Sequence, residues 1–454
     1  MNVQDPSATP AAPDGRWSKV KKRVNVGIAI AVAALFLEIG FGVSDWLTRP
    51  EAVEAADMAL PLPDKPSIAV LAFNNLGIDE ADAFLAESFS EDILTALSKL
   101  SGLFVISRTT TFTYKDSDAT VKQIAEELGI RYVLEGSFQR DGDRIRVTAQ
   151  LIDAIGGQHV WADNYDRDLD DLFAVKDDIT LNIVTNISAE LVTGERDRVL
   201  GRETDNLEAW LLFQQSLAEF SSLDPSRIGL AINLAERAIA IEPNFVSAIT
   251  VLGHIYTNQD RFEDALTLSD RALELDPSHA YANAARSDYH LRMGQVDLAV
   301  EFAQKAVELD PNDFVSHYFL GSALAIAAKP AEAVRAFLLA IRLSPVTPLY
   351  VVPALGVVYL NTQQYEEAVA AAEQVLDRPD VQPGNAWVAR LVLATAFDRL
   401  GRGDDAQAQM ELAMEAQPET STIEFMRNEF RVHVDQDHTE GLLDTWRRLG
   451  MPED

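Results

Sequence analysis

Asp166, Asp168 and Asp170, with Asp177 in the twelfth place, have the spacing of carboxylates around a calcium loop. The sixth place, where such a loop turns on glycine, is Asp171, and Asp177 is too short for the bidentate ligand at the twelfth. Acids gathered before a long helix also complement its macrodipole. Asp163, Asp166, Asp168, Asp170, Asp171 and Asp177 are therefore read as a helix-capping cluster, with no metal expected. No other group forms a reaction centre: GxxxxGK[ST], HExxH and GxSxG are all missing, and Gly40-Phe41-Gly42 lacks a third glycine. The seven histidines are dispersed, four of them (His254, His279, His290, His317) in a repeat region. Zero cysteines exclude thiolate nucleophiles, disulfides and Cys-based zinc sites. The expectation is a protein with no catalytic residue, metal or cofactor.

The elements that would position any binding residues come next. A chain of 454 residues is too long for one core, and 47% hydrophobic with 24% charged residues describes folded domains. With 38 basic against 71 acidic residues the net charge is -33, which repels a phosphate backbone, so nucleic acid is not expected as a partner. Val24 to Val43 is apolar except for Asn25 and Glu38, and twenty helical residues match a hydrocarbon core of about 30 Å. Arg16, Lys19, Lys21, Lys22 and Arg23 precede this run, and Trp17 and Trp46 flank it. The positive-inside rule then gives a cytoplasmic tail (1–23), a transmembrane helix (24–46) and a periplasmic remainder in a bacterial inner membrane. The length of the apolar run and its distance from Val53-Glu54-Ala55 favour an uncleaved anchor over a signal peptide. Gly27 and Ala31 would let two such helices touch, which puts a homo-oligomer among the expected partners. Residues 47–65, with repeated prolines and acids, read as a linker.

From Ser67 the pattern is α/β. Ser67–Phe73, Leu103–Ser107, Tyr132–Gln139, Arg144–Asp153 and Gln158–Tyr165 read as strands, and Ala83–Leu100, Val121–Leu128 and Asp171–Leu191 as helices. Asp141-Gly142-Asp143 makes a hairpin turn, and Arg144–Asp153 alternates as a strand wet on one face does. The segments PSIAVLAFNNL (66–76), SEDILTALSKLSGLFVISR (90–108), LGIRYVLEGSFQRDGDRIRVTAQLIDA (128–154) and WADNYDRDLDDLF (161–173) resemble the TolB amino-terminal-like domain. The resemblance covers about 66–195 and implies a small α/β domain with no established enzymatic activity. In that family the domain often lies between a class III adenylate cyclase domain and tetratricopeptide repeats. Only 23 residues precede the apolar run, so no cyclase domain is expected in this chain.

After a charged joint (Glu195–Asp205) the period changes to 34: Pro243, Pro277, Pro311 and Pro345 keep it, as do Ala231, Ala265, Ala299 and Ala333, and Ala238, Ala272, Ala306 and Ala340. Leu252-Gly253 and Leu320-Gly321 fill equivalent positions. A 34-residue helix-turn-helix unit with these residues is the tetratricopeptide pattern, and about six repeats fit between 206 and 418, followed by a helical cap (419–454). Such arrays resemble one another in holding a partner on the concave face of their first helices. The aligned positions are Thr250, His254, Asn258, Tyr281, Asp288, Arg292, Val315, Tyr318, Ser322, Tyr350 and Val357. They form a tyrosine-rich, nearly uncharged groove suited to an apolar segment or helix of a protein or peptide partner.

The expected fold class is therefore multidomain: one transmembrane helix, a small TolB-like α/β domain and an all-α tetratricopeptide solenoid. The expected function is a membrane-anchored, periplasm-facing adaptor. The alternative is a sensor or regulatory component of a signalling system related to class III adenylate cyclases.

Overall fold

The computed structural model describes residues 52–77, 79–187, 199–201, 203–222, 224–346, 350–379, 381–429 and 436–454, and Ala52–Asp454 form one compact unit. Its α/β module is built on β1 (Ser67–Val70), β2 (Asn74–Asn75), β3 (Phe104–Val105), β4 (Tyr132–Asp141), β5 (Arg144–Asp153) and β6 (Gln158–Asp168). The order is β3-β1-β4-β5-β6, with β2 beside β4. β1 pairs in parallel with both β3 and β4, and β4-β5-β6 is an antiparallel meander. Every residue of Ser67–Val70 is buried because helices cover both faces of this strand. Ile68 and Val70 share a core with α1 (Glu80–Ser98) and α3 (Leu172–Ile187), while Ala69 shares another with α2 (Val121–Leu128).

Local chemistry fixes these elements. Asp79 caps α1, and a Thr120/Gln123 capping box starts α2. α2 ends on Gly129 at φ 59°, and Gly142 at φ 60° turns the β4-β5 hairpin. Residues 52–65, within the stretch expected as a linker, pack on this module. The N–H of Val53 donates to the carbonyl of Ala154 (2.9 Å) and that of Ala59 to Glu126 (2.8 Å).

The array contains six helix hairpins: α4 (Leu207–Ser221) with α5 (Ile228–Ile241), α6 (Val246–Asn258) with α7 (Phe262–Leu275), α8 (Ala280–Arg292) with α9 (Val296–Leu309), α10 (Phe314–Ile326) with α11 (Pro330–Leu343), α12 (Val351–Asn361) with α13 (Tyr365–Leu376), and α14 (Pro383–Arg399) with α15 (Gly403–Ala416). α16 (Ile423–Glu429) and α17 (Gln436–Arg448) follow, and the Trp446 indole on α17 donates to Thr395 on α14 (2.8 Å). The periodic alanines are the close-approach points: Ala231, Ala238, Ala299, Ala306, Ala333 and Ala340 are all 0% exposed. A Cβ on Gly321 would lie 2.9 Å from the Phe337 ring, so a larger residue would force the hairpin apart. Asp260, Gly294 and Ala328 recur at the same period with φ of 58°, 69° and 57°, turning each first helix into its second.

Two features differ from expectation. Among the described residues no helix is long and apolar enough to cross a membrane, which overturns the transmembrane component of the fold class and the single-pass inner-membrane placement. The longest described helix has 19 residues but carries Glu80, Asp82, Glu87, Glu91 and Asp92, which hydrocarbon would not accept. The segment 24–46, the tail 1–23 and the Gly27/Ala31 pair lie outside the described residues. The acidic cluster is only partly a helix cap: Asp170 and Asp171 lie in the turn that leads into α3, but the acids before them belong to the sheet. β6 runs on to Asp168, so Asp166 and Asp168 face β5, where Arg146 meets Asp166 at 2.7 Å and Arg144 meets Asp168 at 3.3 Å. Among the described residues no group of three or more His, Asp or Glu is arranged to hold a metal ion.

Gly129 supplies a test. A Cβ there would stand 2.2 Å from the Leu60 carbonyl oxygen, in a left-handed backbone that alanine disfavours. Gly129→Ala is expected to lower stability by about 2 kcal/mol or more, read as a reduced urea midpoint with an unchanged slope.

Candidate functional site

The first helices of successive hairpins pack side by side, and the aligned positions meet across them. On α6 and α8 they form one network. The Tyr281 hydroxyl and His254 Nδ1 are 2.7 Å apart, and His254 Nε2 lies 3.6 Å from an Asp288 carboxylate oxygen. Arg292 donates to that same Asp288 oxygen (3.2 Å) and to Asn258 Oδ1 (2.6 Å), and Asn258 donates to the His254 carbonyl (3.2 Å). His254 is ringed by Phe220, Tyr281 and Phe319 at 5.2, 5.7 and 5.7 Å between centroids. A second group lies further along. Tyr318 meets Tyr350 edge-on at 4.8 Å, and Ser322 donates to the Tyr318 carbonyl. Thr250 is buried, whereas Val315 and Val357 are half-buried in neighbouring hydrophobic clusters. The eleven positions thus divide into a hydrogen-bonded group of five, a second group of three around Tyr318 and Tyr350, and three packing residues.

The electrostatics are closed within the groove. Burial works to raise the Asp288 pKa, but hydrogen bonding and charge from His254 and Arg292 outweigh it and hold the carboxyl below its ordinary value. Burial raises the Tyr281, Tyr318 and Tyr350 phenols. The Asp313 carboxylate adds to the rise at Tyr281 and Tyr350, and Asp288 adds to it at Tyr281 and Tyr318. These hydroxyls stay neutral; Asp288 is paired with Arg292, and the Asp313 carboxylate accepts the N–H groups of Val315 and Ser316 at the start of α10. The surface can offer aromatic area and neutral hydrogen bonds, a combination that suits a protein segment.

Sequence reasoning missed three residues that shape this site. Phe220 precedes His254 by 34 residues, so the repeat period could have found it. Glu203 lies in the charged joint, where nothing marks it. Its carboxylate accepts from the Ser247 N–H (2.7 Å), the Ser247 hydroxyl (2.8 Å) and His279 Nε2 (3.0 Å), tying the starts of α6 and α8 together. Burial opposes the charge, but His279 and Ser247 prevail and hold the Glu203 pKa at about 2. Thr395 takes the groove-equivalent place on α14 and is covered by Trp446 of the cap.

Known proteins support the repeats and redirect the reading of the module. Residues 250–314 and 354–420 match the tetratricopeptide repeat family. Residues 64–181 match "HilA/YgeH-like transcriptional regulator, second domain", so the finer assignment to the TolB amino-terminal-like domain is not shown. A relative named "Putative adenylate cyclase 3" from Rhizobium meliloti (strain 1021) is 40% identical over 210 residues, 45% of this chain. The chain spans 35% of that relative's length. Among solved structures, PilF of Pseudomonas aeruginosa is similar at 16% identity and a TM-score of 0.39, over 49% of this chain and 96% of that one. A thermophilic tetratricopeptide protein of Thermus thermophilus gives 16% and 0.36, over 41% and 98%. The described chain is an all-α tetratricopeptide solenoid preceded by an α/β domain.

The Asp288 pairing predicts a pH signature. Its lowered pKa means stabilisation that is fully present above the unfolded value of about 3.9 and lost as pH falls below it. Asp288→Asn should flatten the acid limb of a stability-against-pH curve. Asp288→Ala, which removes the carboxylate bonded to Arg292 and His254 but leaves the exposed Arg292 head in water, should cost about 1 kcal/mol in urea unfolding at neutral pH.

Proposed function

We propose that the chain is a non-catalytic adaptor whose tetratricopeptide groove holds an apolar segment or helix of a protein partner. The observation that supports this most is the set of three tyrosines, Tyr281 at the start of α8, Tyr318 in the second turn of α10 and Tyr350 just before α12. They are half-buried, while His254, Asp288 and Arg292 next to them are internally paired. A groove that needs no counter-charge gains affinity by burying aromatic area, and tyrosine provides that area with few rotamers to freeze. Thr250, His254, Asn258, Asp288, Arg292, Val315, Ser322 and Val357 then fix the shape around the tyrosine contacts.

A second reading draws on the relative named "Putative adenylate cyclase 3". Under it the same two modules regulate a cyclase, with the repeats receiving the signal or the catalytic partner. Both readings place binding in the repeats and catalysis elsewhere.

A photo-crosslinker at Ser322 of the otherwise native chain should capture a protein partner, whose affinity is then measured. The double variant Tyr318→Ala/Tyr350→Ala is expected to weaken that affinity at least about tenfold. Leu298→Glu, at a 42% exposed site on α9, should leave it unchanged. Equal loss in both variants would count against the groove. Cyclic nucleotide production by the purified chain would overturn the non-catalytic reading.

A further inference from the structure

Besides the hydrophobic core it shares with the first repeats, the α/β module is hydrogen-bonded to the array by residues around the ends of α9 and α11. Asn312, between α9 and α10, acts as a short strand against the sheet edge. Its Nδ2 donates to the carbonyls of Ser98 (2.8 Å) and Leu100 (2.9 Å), and its Oδ1 accepts the N–H of Val105 in β3 (3.3 Å). The next outward N–H, that of Ser107, donates to Leu343 at the end of α11 (2.8 Å). Beside Asn312, the Asp310 carboxylate accepts the Ser98 hydroxyl (2.8 Å) with one oxygen and the Asn312 N–H (3.3 Å) with the other. Asp310, at 6% exposed, is a carboxyl enclosed at the junction of two bodies.

We propose that Asp310 is a proton-operated latch between the module and the array, tight when the carboxyl is neutral and loosened when it ionises. The groups facing it from each side explain this behaviour. The end of α1 presents Ser98 and Lys99, the turn presents Asn312 and the like-charged Asp313, and α10 presents His317. The His317 ring is bonded to the Pro311 carbonyl (3.0 Å), and burial lowers its pKa against the opposing pull of that bond and of Asp313, favouring the neutral ring. Ionising Asp310 therefore creates a second negative charge beside Asp313 in a place water scarcely reaches. Burial is the largest influence and Asp313 the next. Ser98, Lys99 and Asn312 offset only part of the rise, leaving the pKa at about 7. An undocked Asp310 would ionise near about 3.9. Between these values the docked state holds a proton that the undocked state has lost, so docking weakens as pH rises through that window. The latch engages on acidification and loosens toward neutrality.

Native-state hydrogen exchange on the full chain tests this at two amides that exist as bonds only when the bodies are docked, Val105 and Ser107. Their protection, corrected for intrinsic exchange, should fall on the order of tenfold between pH 5.5 and 8. In Asp310→Asn, which stays neutral, protection should be high and flat. Should that variant fail to fold, Asp313→Asn keeps the carboxyl and removes its like-charged neighbour, and the transition should move to lower pH. Flat protection in the native chain, an undiminished pH dependence in Asp310→Asn, or an unmoved transition in Asp313→Asn would each overturn the proposal.

Discussion

The open edge of a small sheet is the constraint on which the rest of this structure depends. β3 has only two ladder residues, and its outward N–H groups would be left unpaired if the module stood alone. The repeats satisfy them: Asn312 takes Val105, Leu343 takes Ser107, and Ser344 and Val346 engage Thr110. Arg342 adds bonds to the carbonyls of Pro61 (3.1 Å) and Gly129 (2.9 Å) and lies 4.8 Å from the Phe104 ring. On the other side, Phe173 of α3 meets Trp210 of α4 edge-on at 5.7 Å, and one hydrophobic core runs from the sheet into the first repeats. The module is thus a resident ligand of the array, seated on its inter-repeat turns.

The hydrogen bonds that join the two bodies come mostly from residues 310–346, with Gln214 of α4 reaching the Ser88 carbonyl, while the groove residues bond chiefly to one another. Pairing of Asp288 with Arg292 and His254 removes the need for a charged partner, and the tyrosines supply the contact area. An acidic chain with a neutral groove can select partners by shape and apolar surface while its net charge keeps it dispersed.

How much of this was legible follows from the range over which each signal acts. Arg144–Asp153 and Val121–Leu128 could be bounded from the sequence because alternation, the Thr120 cap and Gly129 are local. The six hairpins were legible because close approach forces alanine to recur at one spacing. Leu103–Ser107 reads as a strand, yet only Phe104 and Val105 join the ladder, since side chains and turns complete the edge. Asp310 and Asn312 stand on either side of the periodic Pro311 with no local mark of their role. Their partner Ser98 is more than 200 residues away, and nothing local announces it. The acids at 166 and 168 read as a cap because nothing in the local pattern signals that β6 continues to them. The apolar run 24–43 lies outside the described residues, among which no helix is long and apolar enough to cross a membrane.

Module and array should unfold as one cooperative body. Incorporating fluorotryptophan into the full chain places one reporter in the sheet (Trp161) and another in the first repeat (Trp210), each followed by fluorine NMR through a urea titration. Coincident midpoints for the two are predicted, because the interface and the shared core disappear together. Loss of the folded Trp161 signal while Trp210 keeps its native one would contradict the account.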